Sequence, residues 1–455
     1  MADFDVVVVG SGTAGQTAAH DLAAAGMKVA VVEKSDRPGG VCAQSGCQPK
    51  KWFYEAAEAV ARCQHLIGKG IAAPPQALWS EVLREKNAFT AGVPERTLEG
   101  FRKAGIEFIG GAAAFRGREV LRAGVRDLRA RFFILAVGAR PMPLPFPGAE
   151  HLTTSGTWLE QPALPERIVF VGGGFIAFEF AHFAARLGPP GCRPCILEAA
   201  ARPLGPFDAD LVAALLDASR QAGIEVRTRV RIEAIEKGAG GFRIRLAGGE
   251  ALEADQVVHG AGRVADLEGL DLQAAGIQLT RSGIVVDAGM RTSNPRAFAV
   301  GDCAATIQLA RVADFEAHVA AKNILAASGK GTPETIDYGT VPAILFTFPQ
   351  LAMVGKTESA LADAGVAYRK SFAQNLRWPT YRRVGLEHAA YKILAGEDGR
   401  LLGAHFLSDN ASGLVNAVRL AMRNGLTAGR LHEQSILSPY PTRESDLLYM
   451  LEPLR

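Results

Sequence analysis

Phe4-Asp5-Val6-Val7-Val8-Val9-Gly10-Ser11-Gly12-Thr13-Ala14-Gly15 is the stretch that decides the fold. Four consecutive valines read as a strand buried on both faces of a parallel sheet. The glycines after it form a tight turn. A helix then runs to about Ala25, where Gly26 ends it, and Lys28 to Glu33 is a second strand. This is one βαβ unit. Its physics suits a dinucleotide, because glycines let the backbone approach a pyrophosphate and the helix N-terminus faces that charge. Glu33, closing the second strand, is placed to accept hydrogen bonds from ribose hydroxyls.

The pattern recurs. Arg167 to Val171 reads as a strand, Gly172-Gly173-Gly174-Phe175-Ile176-Ala177 as a turn and Phe178 to Leu187 as a helix, and Cys195-Ile196-Leu197-Glu198 ends the next strand. One glycine motif is weak evidence. Two, each between strand and helix and each followed by a terminal glutamate, predict two dinucleotides in one chain. Apolar strands ending in small residues, Ile134 to Gly138 and Val257 to Gly262, mark crossings between nucleotide domains. In Ala297-Phe298-Ala299-Val300-Gly301-Asp302, the carboxylate after a buried strand suits a ribityl or ribose hydroxyl, or alternatively a helix N-cap. From about Thr340 the pattern changes. Strands at Ala343–Thr347 and Ala390–Leu394 alternate with helices at Thr357–Ala364 and Gly413–Asn424, an α+β domain without a cofactor motif.

The chain's 455 residues exceed one ordinary core and predict several domains. A net charge of +3 does not predict nucleic-acid binding. No apolar run is long enough to span a bilayer, and the first residues lack a basic segment and a cleavage site, so a cytoplasmic location is expected. Six cysteines are too sparse for a secreted disulfide scaffold. Cys192-Arg193-Pro194-Cys195 has no second pair to complete a zinc site, so these two, with Cys63 and Cys303, read as structural thiols, and no metal is expected.

With the glycine motifs, Gly39-Gly40-Val41-Cys42-Ala43-Gln44-Ser45-Gly46-Cys47-Gln48-Pro49-Lys50, Glu179 and Gly301-Asp302 in this order, the chain resembles the pyridine nucleotide–disulfide oxidoreductases. These include dihydrolipoamide dehydrogenase, glutathione reductase and mercuric reductase. The resemblance implies an α/β chain with two Rossmann-like domains plus a C-terminal α+β dimerisation domain. The expected divisions are an FAD-binding domain in 1–150 and 265–335, an NAD-binding domain in 151–264 and an interface domain in 336–455. FAD would be held by Gly10, Gly12, Thr13, Ala14, Gly15, Glu33, Gly40, Val41, Lys50, Ala113, Gly138, Gly301, Asp302, Leu309 and Ala310. The nicotinamide coenzyme would be held by Gly172, Gly174, Phe175, Ile176, Glu198, Val230 and Gly262. The resemblance makes Cys47 the flavin-side thiol and Cys42 the interchange thiol. It places Lys50 near the flavin, paired with Glu179, and makes Phe175 an aromatic gate. It also implies a homodimer whose active sites take residues from both subunits.

Glu198 bears on the coenzyme, because a carboxylate there repels a 2′-phosphate and favours NAD(H) over NADP(H). Arg202, after three alanines, is the nearest counterargument. The tail departs from the family. Leu437-Ser438-Pro439-Tyr440-Pro441-Thr442-Arg443-Glu444-Ser445 puts Tyr440 where the family carries its acid–base histidine, and Ser445 where it carries the glutamate five residues on. A histidine titrates near neutral pH, whereas a phenol keeps its proton far above it. Mercuric reductases also place tyrosine here but carry a C-terminal cysteine pair, and this chain ends Leu451-Glu452-Pro453-Leu454-Arg455. The expected substrate is a thiol or disulfide, lipoamide free or carrier-bound. The alternatives are a metal, metalloid, quinone or sulfur species, or a non-catalytic nucleotide-binding subunit. Lys51-Trp52-Phe53-Tyr54 and Arg377 to Arg383 mix basic and aromatic residues that suit an anionic or protein-borne substrate or plain packing.

Overall fold

Valines that alternate faces in a strand with no polar interruption bury both faces, and Val6, Val7 and Val8 are fully buried. The structure, a computed structural model, describes residues 2–455. The chain divides into two compact units. The first runs to Trp52 and continues with Arg84–Met142 and Gly262–Asp337; the second comprises Phe53–Leu83, Pro143–Ala261 and Tyr338–Arg455.

The first unit is built on one sheet. Phe4–Val9 lies at its centre, parallel to Val29–Glu33 on one side and to Arg126–Leu135 on the other. Ala297–Ala299 adds beside Arg126–Leu135, also in parallel. The strand ends therefore bring Gly10, Glu33, Ala136 and Gly301 to one edge, where a doubly wound sheet binds its ligand. The helices Thr13–Ala24 and Ala310–Ala327 pack over this sheet through Ala14, Ala18, Ala313, Ala317 and Ala320, small residues that allow close approach.

The second unit holds a smaller parallel sheet in the order Glu225–Arg227, Arg193–Leu197, Arg167–Val171, Gln256–His259. The helix Phe175–Leu187 packs against it. It begins three residues earlier than the sequence suggests, because Phe175 and Ile176 already take helical backbone. The C-terminal part is a five-stranded antiparallel sheet. Ala343–Leu345 and Ala390–Ala395 were expected strands, while Gln350–Gly355, Arg369–Gln374 and Leu401–Ser408 were not read from the sequence. The helices Glu358–Asp363 and Ala411–Arg423 fall close to their expected places. No helix among the described residues is long and apolar enough to cross a membrane.

Candidate active site

The first glycine loop is a cradle closed by backbone. Gly10 has φ +106°, and a Cβ there would strike the Ala136 carbonyl. A Cβ on Gly15 would strike the Gly10 carbonyl oxygen, and one on Gly40 would strike the Gly12 backbone. The helix Thr13–Ala24 starts at Gly12 with no side-chain cap and no acid in its first turn. Its N-terminal N–H groups are left for an anion. Glu33 secures the loop, as one oxygen accepts the Ser11 N–H (2.9 Å) and hydroxyl (2.7 Å) and the other the Ser35 N–H (2.8 Å). Ser11, fully buried, also accepts the Gly39 N–H at 3.0 Å. One serine thus ties the glycine loop to the turn that precedes Cys42. Nothing but its place inside the motif marked Ser11 in the sequence.

At the other side of this edge, Gly301 (φ +70°) donates its N–H to the buried Glu316 at 2.6 Å. This fixes the turn carrying Asp302. Val300, not Asp302, precedes that short 3-10 turn, and no side chain caps it. The Asp302 carboxyl is raised above the usual range by burial, opposed by the charge of Arg263. A half-buried acid at the strand edge fits the hydroxyls of a bound nucleotide. Leu309 and Ala310 open the helix that follows, whose Asp314 accepts from the Thr13 hydroxyl. Ala113 is buried in the strand Ala113–Phe115, and Gly138 turns with φ +73°. Backbone that excludes Cβ atoms, an uncapped helix start and a half-buried acid together fit a flavin dinucleotide.

Cys42 sits on the short helix Gly40–Gln44, and Cys47 is the first residue of the long helix Cys47–His65. Both are thiols, Cys42 partly buried and Cys47 exposed. They share a hydrogen bond. That bond first, and burial second, push the Cys42 thiol upward. Cys47 opens a 19-residue helix, whose positive end favours a nearby negative charge. Lys50 follows in the first turn of that helix, and Val41 is exposed. In contrast, the buried thiols Cys195 and Cys303 are quiet. Burial raises Cys303 to about 11 and Cys195 to about 12, and Cys303 donates to the Leu135 and Val300 carbonyls.

The second loop repeats the first with other residues. Gly172 has φ +97°, and the helix after Gly174 again lacks a side-chain cap. Glu198 accepts the Gly173 and Ala200 N–H groups, each at 2.6 Å. Val230 donates its N–H to the Glu198 carbonyl at 3.0 Å. Arg202 is occupied, donating to the Phe207 and Gly205 carbonyls at 2.8 and 2.9 Å. Phe175 packs its ring 5.4 Å from Phe207, and Ile176 is partly buried in the same core. Gly262 (φ +104°) falls within the first unit, apart in sequence grouping from the other nicotinamide candidates. Glu179 is buried and accepts the Phe346 N–H at 3.0 Å, a contact with the C-terminal sheet that sequence did not suggest.

Tyr440 exposes 73% of its surface and its neighbour Leu437 88%, so this segment offers an apolar face outward. Ser445 does not face Tyr440. Its hydroxyl donates to the Thr442 carbonyl (2.7 Å) and accepts the Thr442 N–H (3.1 Å), closing a local turn. Glu444 points elsewhere, accepting from Asn410 at 2.7 Å. Phe53 and Tyr54 are core residues, Tyr54 accepting from Gln350 at 2.6 Å, and Trp378 packs on Tyr381, Tyr391 and Tyr449. Arg377, Arg382 and Arg383 are exposed.

Two dinucleotide loops, a close thiol pair and an α+β C-terminal domain define a flavin-linked disulfide oxidoreductase fold. The chain matches the pyridine nucleotide-disulphide oxidoreductase family over residues 4–317 and that family's dimerisation domain over 341–447. It belongs to this family, whose members use FAD and NAD(P)H. It is 32% identical to a glutathione reductase of Burkholderia cepacia over 92% of this chain and 93% of that one. It is 31% identical to a dihydrolipoyl dehydrogenase of Geobacillus stearothermophilus over 94% and 91%. The fold is similar to that of an HOCl-induced flavoprotein disulfide reductase from Escherichia coli, with a TM-score of 0.87 at 24% identity over 98% of this chain and 99% of that one.

Proposed function

We propose that this enzyme passes electrons between NAD(H) and a thiol or disulfide substrate of the lipoamide type, free or on a carrier protein. The observation that carries the reading is the hydrogen-bonded Cys42–Cys47 thiol pair, in the same unit as the glycine cradle. Bound FAD would supply two-electron transfer between the nicotinamide and that pair. In the reducing direction, NADH, a proton and a disulfide give NAD+ and a dithiol. Cys42 gives up its proton and, as thiolate, attacks one substrate sulfur. The substrate S–S bond breaks, a mixed disulfide forms and the leaving thiolate takes a proton. Cys47 then attacks the Cys42 sulfur, which releases the second substrate thiol and leaves a Cys42–Cys47 disulfide. Lys50, in the first turn of the helix that Cys47 opens, is the cation that stabilises developing negative charge on the flavin side.

NAD(H) is the coenzyme in this reading, because Glu198 repels a 2′-phosphate and Arg202 is spent on backbone carbonyls. The chain works as a homodimer through residues from about 340 onward, with Tyr440 covering the partner's Cys42. The divisions 1–150, 151–264, 265–335 and 336–455 serve flavin, coenzyme, flavin and interface in turn. A second reading is a reductase of a metal, metalloid, quinone or sulfur species. It is favoured by Ser445 turning onto Thr442, which leaves no acid to orient a base. Steady-state turnover with NADH against lipoamide, other disulfides, quinones and metal ions separates the two. Lipoamide turnover that is slow at neutral pH and rises toward alkaline pH fits the first. Lipoamide inert at every pH, with a quinone or metal ion turned over, replaces it by the second.

A further inference from the structure

A single carboxylate, Asp409, joins the segment that carries Tyr440 to the helix that begins with Cys47. Asp409 lies at the end of the strand Leu401–Ser408 and is buried. On one side it takes a bidentate pair from Arg443, three residues after Tyr440, with Nε to Oδ1 at 2.7 Å and Nη2 to Oδ2 at 3.0 Å. Arg443 is itself buried, its guanidinium 4.0 Å from the centre of the Tyr381 ring. On the other side Asp409 takes Arg62, with Nη1 to Oδ2 at 3.2 Å and Nη2 to its backbone oxygen at 2.9 Å. Arg62 is held in turn by Glu58 one helical turn earlier, at 2.8 Å. Two arginines face two carboxylates, so the cluster is neutral and each planar guanidinium is geometrically fixed. The Tyr440 segment has further pins at Asn410–Glu444 and Thr380–Asp446, both after Tyr440 in sequence. Tyr440 itself remains exposed.

We infer that Asp409, acting through Arg443, is a positioning residue that sets the place from which Tyr440 reaches the interchange thiol of the partner. The inference rests on the disulfide-oxidoreductase reading above. Asp409 touches no reacting atom. Its role is to fix the backbone on the C-terminal side of Tyr440, so that a hydroxyl on an exposed loop is presented at one height. Small displacements of such a group are expensive for the reaction.

The test uses the flavin-loaded enzyme. Arg443→Gln cuts the clamp on the Tyr440 side, together with the contact to the Tyr381 ring, and leaves Arg62 with Asp409; Asp409→Asn is its counterpart. In anaerobic stopped-flow, reduction of the flavin by NADH is expected to be unchanged by Arg443→Gln. Reoxidation of the reduced enzyme by lipoamide should slow about ten-fold. The pH profile for alkylation of Cys42 by iodoacetamide in the NADH-reduced enzyme should move to higher pH, because a misplaced hydroxyl supports the thiolate less well. Arg443→Lys, which restores one hydrogen bond, should recover part of the rate. In a Tyr440→Phe background, Arg443→Gln should add no further loss. Equal losses in both backgrounds, or an unmoved alkylation profile, would give Arg443 a purely structural role and overturn the inference. If NADH leaves the wild-type cysteine pair oxidised, the oxidoreductase reading falls and takes this inference with it. If the wild type is active and Arg443→Gln reoxidises normally, the inference alone falls.

Discussion

The two glycine loops reach the same backbone shape with the methyl group on opposite sides. In the first, the third glycine of the motif, Gly15, starts the close approach, and the strand end opposite it is Ala136, whose methyl lies 3.5 Å from where a Gly15 Cβ would stand. In the second, the helix carries Ala177 and the strand end carries Gly260, where an added Cβ would come within 2.9 Å of the Ala177 methyl. One small residue opposite one glycine fills the gap between strand end and helix in both places. The motif is therefore a requirement on a pair of positions rather than on the helix alone, which is why a GxGxxA variant still makes the turn. The acids also differ. Glu33 accepts three donors from its loop, two of them from the buried Ser11, whereas Glu198 accepts two backbone N–H groups.

That contrast can be broken most severely at Gly15. Its Cβ would hit backbone, the Gly10 carbonyl, which no rotamer change relieves. Gly15→Ala is expected to yield protein with almost no bound flavin, its FAD affinity weakened about a hundred-fold or more given an overpacking cost of about 1–3 kcal/mol and the loss of anion-binding geometry. Absorbance of the purified protein and flavin fluorescence titration check this. Retention of full flavin would mean the first loop tolerates what the second already has.

The acids come next. Glu33→Gln leaves the Ser11 hydroxyl and two N–H groups competing for one amide oxygen. It should weaken FAD binding by about 1–3 kcal/mol, the cost of stranding buried donors. Glu198→Gln should leave flavin content intact and raise the KM for NADH by a few-fold. A flavin loss in both variants, or in neither, would erase the proposed difference between the loops.

A smaller effect is expected at the paired positions of the second loop. Gly260→Ala should raise the KM for NADH by a few-fold, since the atom nearest to an added Cβ is the Ala177 methyl. Ala177→Gly in the same chain should restore it. Failure of that rescue would show that Gly260 is needed for its backbone and not for space.

The smallest effect concerns pH and has no counterpart in the second loop. Burial raises the folded pKa of Asp302 above its ordinary 3.8. The folded flavin-free protein then binds more protons than the unfolded chain, so this carboxyl takes stability away as pH rises from 3.8 through the folded value. Thermal unfolding of flavin-free protein should show this decline, and Asp302→Asn should flatten it.

Much of this was legible in the sequence because each feature leaves a local trace. Four valines before a glycine turn can hardly be anything but a central strand, and the glutamates at 33 and 198 stand at strand ends, as expected. The cysteine pair was equally plain. The supports were not legible, because they act across long sequence separations. Ser11 meets Gly39, Glu316 meets Gly301 and Asp409 meets both Arg62 and Arg443. Three of the five C-terminal strands were missed for a related reason. In Leu401–Ser408, His405 is a polar residue that is nonetheless buried, facing the buried Lys392 on the adjacent strand. Lys392 is enclosed by Asp208, Asp210 and Glu358 at 2.6–2.9 Å, partners that lie far away in the chain. Gly403 stands inside the strand Leu401–Ser408, where a Cβ would meet the Lys356 carbonyl.

The central claim is that electrons from NADH arrive at Cys42 and Cys47 and at no other thiol. Its most direct measurement is cysteine alkylation of the air-oxidised, flavin-loaded protein, with and without anaerobic NADH, near pH 8, followed by peptide mass mapping. The account predicts that NADH exposes two additional alkylated positions, Cys42 and Cys47. Cys195 and Cys303, whose burial holds them at about 12 and about 11, should stay unmodified in both samples. An identical labelling pattern with and without NADH, or new labelling at Cys192 and Cys195 instead, would contradict it.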